Sequence, residues 1–230
     1  EPLVTAKDMF SHRVSILTGH YGTGKTEVSV NLALALAAEG EQVMLADLDI
    51  VNPYFRSRER RPLLEKAGVR VISSSQACSD ADVPALPAEL LTILENREIR
   101  GILDIGGDPV GARVLARFQP KIVQEDYQLI FVLNANRPEV RDAESAAAYL
   151  RSIEAVTGLT CSGLVNNTHL CGETTPAEIR KGAALAQEVS RQTGIPILCH
   201  TAERRFLESL SDLGEPVFPI AINMKKPWER

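Results

Sequence analysis

The sequence is sparing with the residues that would define a disulfide scaffold, a membrane span or a nucleic-acid surface. Its four cysteines, Cys78, Cys161, Cys171 and Cys199, are scattered over 230 residues, and no two stand in C-x-x-C spacing. That scatter excludes a disulfide framework and a Cys-rich zinc site, and is read as reduced, mostly buried thiols. Cys171 stands apart because it follows the polar stretch Asn166-Asn167-Thr168-His169-Leu170, where His169 is a second candidate ligand. Two ligands are at most half of a metal site shared between subunits. No apolar run approaches the ~20 residues of a membrane helix and no secretory leader is visible, so a cytoplasmic chain without stable membrane insertion is expected. The end Met224-Lys225-Lys226-Pro227-Trp228 is basic and aromatic, but too short and proline-broken for a membrane helix. A net charge of -5 argues against a general nucleic-acid binder, though not against a local basic patch.

What remains is the composition of an ordinary globular protein, 44% hydrophobic and 24% charged, long enough for one domain over residues 1–230 with a sizeable core. Short apolar runs alternate with helical stretches. The runs Val14–Thr18, Gln42–Ala46, Val69–Ser73, Gly101–Ile105, Leu129–Asn134, Cys161–Val165, Ile195–Cys199 and Val217–Ile220 are expected strands. Most are continuously apolar, as strands covered on both faces are. Between them, Thr26–Glu39, Ala88–Asn96, Glu139–Val156 and Pro176–Gln192 carry helical patterns. Gly40 and Gly194 suit helix C-termini, Pro176 suits a first turn, and Thr174-Thr175 can cap it. The alternation predicts an α/β fold: a mainly parallel sheet of seven to eight strands with helices on both faces.

The chemistry is concentrated in Gly19-His20-Tyr21-Gly22-Thr23-Gly24-Lys25-Thr26, which meets G-x-x-x-x-G-K-[ST] at every fixed position. It follows an apolar strand and opens a strong helix beginning with Thr26 and Glu27, the setting a phosphate-binding loop requires. Gly22 and Gly24 let backbone amides approach phosphates, and the helix N-terminus adds partial positive charge. Lys25 is expected on the β- and γ-phosphates and Thr26 on Mg²⁺, with ATP as the nucleotide. Carboxylates end two strands, in Ala46-Asp47-Leu48-Asp49 and Leu103-Asp104-Ile105-Gly106-Gly107. In an open parallel sheet ligands bind outside the carboxyl ends of the strands, so these face the loop. Asp104 is the expected second-shell Mg²⁺ carboxylate. Asp49 would orient the attacking water or a Mg²⁺-bound water, and Asp47 would support the loop. Gly106-Gly107 is a flexible pair suited to sensing a γ-phosphate.

Taken together, these segments resemble the MinD/ParA/Mrp-type (SIMIBI) P-loop ATPases, which include metallocentre-assembly ATPases. The resemblance covers most of the chain and rests on Asp47-Leu48-Asp49, Asp104-Ile105-Gly106-Gly107 and Asn134-Ala135-Asn136-Arg137-Pro138-Glu139-Val140-Arg141-Asp142-Ala143. By resemblance, Asn166 reads the adenine edge and His200 to Glu203 flank the base. The family's second, "signature" lysine, which crosses a nucleotide-sandwich dimer, is here His20, shorter and mostly neutral at pH 7. The resemblance implies an ATPase that switches its affinity for a protein client, with a homodimer as a further partnership. An enzyme needing metallocofactor insertion fits better than a DNA-partitioning partner. The other class it admits is a small-molecule ligase or kinase of the dethiobiotin synthetase or cobyrinate amidase type. That class needs a basic substrate pocket. Arg56, Arg58, Arg60 and Arg61 would supply one, or they form a solvated basic helix start, with Glu59 and Glu65 interleaved. A nucleotide-binding scaffold with negligible turnover is the third class, disfavoured by the joint presence of Lys25, Thr26, Asp49 and Asp104.

Overall fold

The computed structural model describes residues 4–48, 57–73, 88–107, 109–140 and 142–222. Its strands are β1 (Val14–Thr18), β2 (Val43–Leu48), β3 (Arg70–Ser73), β4 (Arg100–Ile105), β5 (Tyr127–Leu133), β6 (Cys161–Asn166), β7 (Ile197–Glu203) and β8 (Val217–Ile220). The helices are α1 (Ala6–Met9), α2 (Lys25–Ala38), α3 (Ser57–Lys66), α4 (Ala88–Glu95), α5 (Pro109–Ile122), α6 (Ala143–Thr157) and α7 (Pro176–Thr193). The strands form one eight-stranded sheet in the order β3-β2-β4-β1-β5-β6-β7-β8, and every described pairing is parallel. The α/β sheet expected from the sequence is thus present.

The continuous apolar runs follow from the pleat, which sends successive side chains to opposite faces. Along β5, Leu129, Phe131 and Leu133 enter a core shared with α4 to α7. Ile130 and Val132 enter the opposite core, built with α1, α2 and α3. Both faces are covered, so both alternating sets from Leu129 to Leu133 are apolar, and the buried Gln128 before them donates to Ser15 Oγ at 2.9 Å.

The sequence pattern misses α5, whose stretch carries Pro109, Gly111 and Pro120. Pro109 occupies the first position, where its missing N–H costs nothing, and Pro120 falls in the final turn. Helix α6 starts at Ala143 rather than Glu139, because Pro138–Val140 form a separate 3₁₀ turn. Its cap is Asp142, which accepts from the Ser145 amide at 2.8 Å. Thr175 precedes α7 without a side-chain cap bond, and Thr174 Oγ1 instead accepts from the Leu170 amide at 2.9 Å. Strand β7 runs on through the polar His200 to Glu203 because β8 pairs with those residues.

Candidate nucleotide site

The site lies at the carboxyl ends of β1, β4 and β5, where the connection from β1 leads to β2 on one side and that from β4 leads to β5 on the other. That is the topological switch point of a doubly wound sheet. The loop from Gly19 to Thr26 leaves β1 there and ends in α2, with Gly24 at its N-cap in the left-handed region (φ 83°). Gly24 is required for a second reason, since a Cβ would collide with the Asn167 side chain.

Lys25 is buried, and its Nζ donates to the carbonyls of Gly19 at 3.1 Å and His20 at 3.0 Å. Those bonds draw the loop around its own ammonium. Thr23 is fully buried and braces the same turn through its hydroxyl to the His20 carbonyl at 3.0 Å. Tyr21, by contrast, is 62% exposed at the crest.

Thr26 Oγ1 donates to Asp104 Oδ2 at 2.6 Å, across a sequence gap of 78 residues. Donation of its proton to the carboxylate leaves the threonine oxygen lone pairs to face outward. A hard hydroxyl oxygen backed by a buried carboxylate fits the donor set Mg²⁺ prefers. Asp47 is buried in the strand position opposite Asp104, so two carboxylates stand side by side next to the loop. Asp49 and Asp108 lie outside the described residues.

Glu27 is tied inward rather than to the loop's mouth. It pairs with Arg60 at 3.7 Å, and the Asn31 amide donates to its carbonyl at 2.8 Å. For Arg60 the reading as part of a solvated basic helix start is corrected. Arg60 is only 4% exposed and reaches across to α2, while Arg61 pairs with Glu65 along α3 at 2.7 Å. Arg56, and the side chain of Arg58, lie outside what the structure describes.

His20 turns into its own chain. Its ring stacks on Tyr149 of α6 with centroids 3.5 Å apart and planes 21° from parallel. The Tyr149 hydroxyl donates to the Gly107 carbonyl at 2.5 Å. Burial holds the imidazole below its ordinary pKa, with Glu139 opposing and Lys25 assisting. The neutral ring is therefore the favoured form in the stack.

Asn166 is fully buried and has its hydrogen-bonding capacity spent. Its Nδ2 donates to the Ile179 carbonyl at 3.1 Å and meets His200 Nδ1 at 3.0 Å. Its Oδ1 accepts from the Thr168 amide at 3.2 Å and hydroxyl at 2.7 Å. With Nδ1 accepting, His200 carries its proton on Nε2, which faces Glu215 at 3.0 Å. In this arrangement Asn166 joins β6 to α7 and β7 and offers no open edge to a base.

The residue that reaches the loop is its neighbour. Asn167 Nδ2 donates to the Thr23 carbonyl at 2.8 Å, and its Oδ1 accepts from Thr201 at 2.5 Å. Sequence reasoning missed Asn167 and Arg137, whose Nε donates to the Gly22 carbonyl at 2.8 Å. The pair Asn166-Asn167 at a strand end was the available signal for the first, and the stretch Asn134–Ala143, quoted for the family resemblance, contained the second without singling it out. His169 is brought near Gly24, and among the described residues no group of three His, Cys, Asp or Glu side chains gathers as a metal site. The Cys161 thiol is pushed up to about 12 by burial, and burial also raises that of Cys199. Both are inert core groups.

Comparison with known proteins agrees with this geometry. Residues 9–57 match the ParA family, described as the NUBPL iron-transfer P-loop NTPase. The chain is 36% identical over 95 residues to the cytosolic Fe-S cluster assembly factor cfd1 of Emericella nidulans, covering 41% of this chain but 26% of that protein. It is 24% identical over 239 residues to the septum site-determining protein MinD of Helicobacter pylori, covering 94% of this chain and 87% of that one. Among solved structures, the signal recognition particle 54 kDa protein of Aeropyrum pernix K1 in complex with GDP aligns with a TM-score of 0.51 at 23% identity. That alignment covers 80% of this chain and 40% of the other, a likeness of fold. The resemblance to MinD/ParA/Mrp-type P-loop NTPases stands. Among the described residues no helix is long and apolar enough to cross a membrane.

Proposed function

We propose that this relative of the MinD/ParA/Mrp-type P-loop NTPases binds and hydrolyses ATP with Mg²⁺, and uses that cycle as a switch for a protein client in metallocofactor assembly. The observation that carries the reading is the hydrogen bond from Thr26 to Asp104 beside a loop closed on Lys25. A glycine-rich turn with an incidental lysine would have no need of a buried carboxylate brought from another strand.

In this reading Lys25 exchanges the Gly19 and His20 carbonyls for phosphate oxygens, and the amides of Gly22 to Thr26 surround the phosphates. Thr26 would hold Mg²⁺, with Asp104 fixing its hydroxyl; the ion, when bound, offsets phosphate charge. Asp49 would orient the attacking water, a role resting on its place in the sequence. Gly107 is the natural transmitter. Its carbonyl is held by Tyr149 of α6, so a change after β4 is felt on the helix layer. The client class follows from likeness to an Fe-S cluster assembly factor and an iron-transfer family. A homodimer is a further partnership of this reading.

Single-turnover hydrolysis with Mg²⁺ and no added metabolite tests it. Turnover by the wild type, lost by about 100-fold or more in Lys25→Ala, is expected from removal of a cation at the transferred phosphate. ATP consumed only when a small carboxylic acid is supplied would sink the switch and favour the ligase or kinase. Client capture that is the same with ATP, with ADP and with neither would sink the switch while leaving the ATPase.

A further inference from the structure

Among the described residues, Arg137 is a cation at the phosphate loop that the proposed chemistry leaves without a task. It sits in the turn after β5, and its Nε is anchored on the Gly22 carbonyl at 2.8 Å. The guanidinium lies so close against Gly22 that a Cβ there would collide with it. Gly22 has a positive φ of 77°, so both backbone conformation and space keep this position free of a side chain. Arg137 is partly buried. It makes no ion pair with a carboxylate among the described residues, and beyond Nε its nitrogens have no protein acceptor among them.

Arginines held this way normally complete their bonds with a carboxylate or with water in the open. The guanidinium lies against a loop whose amides are arranged for an anion, and an anion held there would accept from the remaining N–H donors as well. A guanidinium can hold a carbonyl with one N–H and present others in a fixed fork, which an ammonium cannot do with the same geometry. The neighbouring basic side chains are placed differently. Lys25 is inside the loop, Lys181 donates to Asn136 Oδ1 at 2.8 Å, and His20 is stacked on Tyr149.

We propose that Arg137 is a phosphate-binding residue acting in cis. With nucleotide on the loop, Nε stays on the Gly22 carbonyl while the terminal N–H groups donate to phosphate oxygens held by the same protomer. The inference rests on the reading of Gly19–Thr26 as a nucleotide site. It adds that the second cation a triphosphate needs is supplied from within the chain, as in-cis arginines do in other P-loop proteins. Nucleotide binding and the hydrolysis rate per protomer then do not depend on meeting a second copy.

The test uses the full chain and two substitutions. Arg137→Gln can still donate to the Gly22 carbonyl but has no charge; Arg137→Lys keeps the charge without the fork. Calorimetric titration with Mg-ATP and Mg-ADP, thermal melting without nucleotide, and single-turnover rates over a wide range of protein concentration are measured. The glutamine variant is expected to melt like the wild type and to bind ATP about 10- to 100-fold more weakly, the range of a lost charge-assisted hydrogen bond. The lysine variant should fall between them. ATP binding within about twofold of wild type in the glutamine variant overturns the proposal, as does a wild-type rate per protomer that rises with protein concentration. A wild type that binds neither ATP nor ADP instead removes the nucleotide reading beneath it.

Discussion

Two strand ends of one sheet carry polar residues with the same apparent qualification, and they are used in opposite ways. At the end of β4, Asp104 is 2% exposed and faces the loop, accepting from Thr26. At the end of β6, Asn166 is just as buried but spends its amide on Ile179, His200 and Thr168. The difference is strand order. β4 is hydrogen-bonded to β1, with Asp104 in register with Leu17, just ahead of the loop. β6 is separated from β1 by β5, and Asn166 lies between Leu133 and His200. A polar residue after an apolar run therefore marks the functional end of the sheet, but the neighbouring strands decide whether it serves a ligand or the fold.

The sharpest way to break this contrast is to remove each group in turn. Asp104→Ala should cut Mg²⁺-dependent hydrolysis by about 100-fold, on the order of 3 kcal/mol of lost electrostatic positioning, and raise the Mg²⁺ concentration needed for half-maximal rate. A variant with an unchanged Mg²⁺ titration would show that the Thr26 bond is merely structural. Asn166→Ala should act on the other side of the ledger. Leaving the Ile179 carbonyl, the Thr168 donors and His200 without partners in a dry interior costs about 2–4 kcal/mol in urea unfolding, with ATP affinity of the folded protein little changed. The reverse outcome, intact stability with weakened ATP binding, would return Asn166 to the adenine-reading role that the family resemblance implies.

The smallest effect concerns the stack between loop and helix layer. The folded-state pKa of His20 is lowered, so the folded form binds its proton less readily than the unfolded chain does. The stabilisation is present above the ordinary imidazole pKa of about 6.5 and is lost as pH falls below it. Wild type should lose more stability between neutral and mildly acidic pH than His20→Phe, which keeps the ring but cannot titrate. Parallel curves for the two proteins would remove His20 as the titrating group.

Much of this architecture is legible in the sequence because it is encoded locally. Each expected strand run overlaps an observed strand, and Gly40 and Gly194 follow their helices with the positive φ expected of them. Misreadings fall where distant pairing overrides local pattern. β7 extends through His200 to Glu203 only because β8 lies alongside, and α5 forms despite Pro109, Gly111 and Pro120 because Val114 and Leu115 have a sheet face to cover. Arg60 shows the same limit. Its stretch looks like a solvated charged face, yet this side chain crosses to Glu27.

By itself the sequence determined the phosphate loop's chemistry, since Gly19 to Thr26 is one contiguous stretch whose glycines, lysine and hydroxyl act through the backbone they belong to. It determined the alternation that yields a parallel sheet as well. Only the tertiary structure decided that Asp104 meets Thr26, that Asn167 rather than Asn166 touches the loop, that His20 folds onto Tyr149, and that Arg137 lies on Gly22. The reason is physical. Each of these contacts joins residues far apart in the chain, and which of them meet depends on strand order and register, which are global minima of packing rather than properties of any one segment.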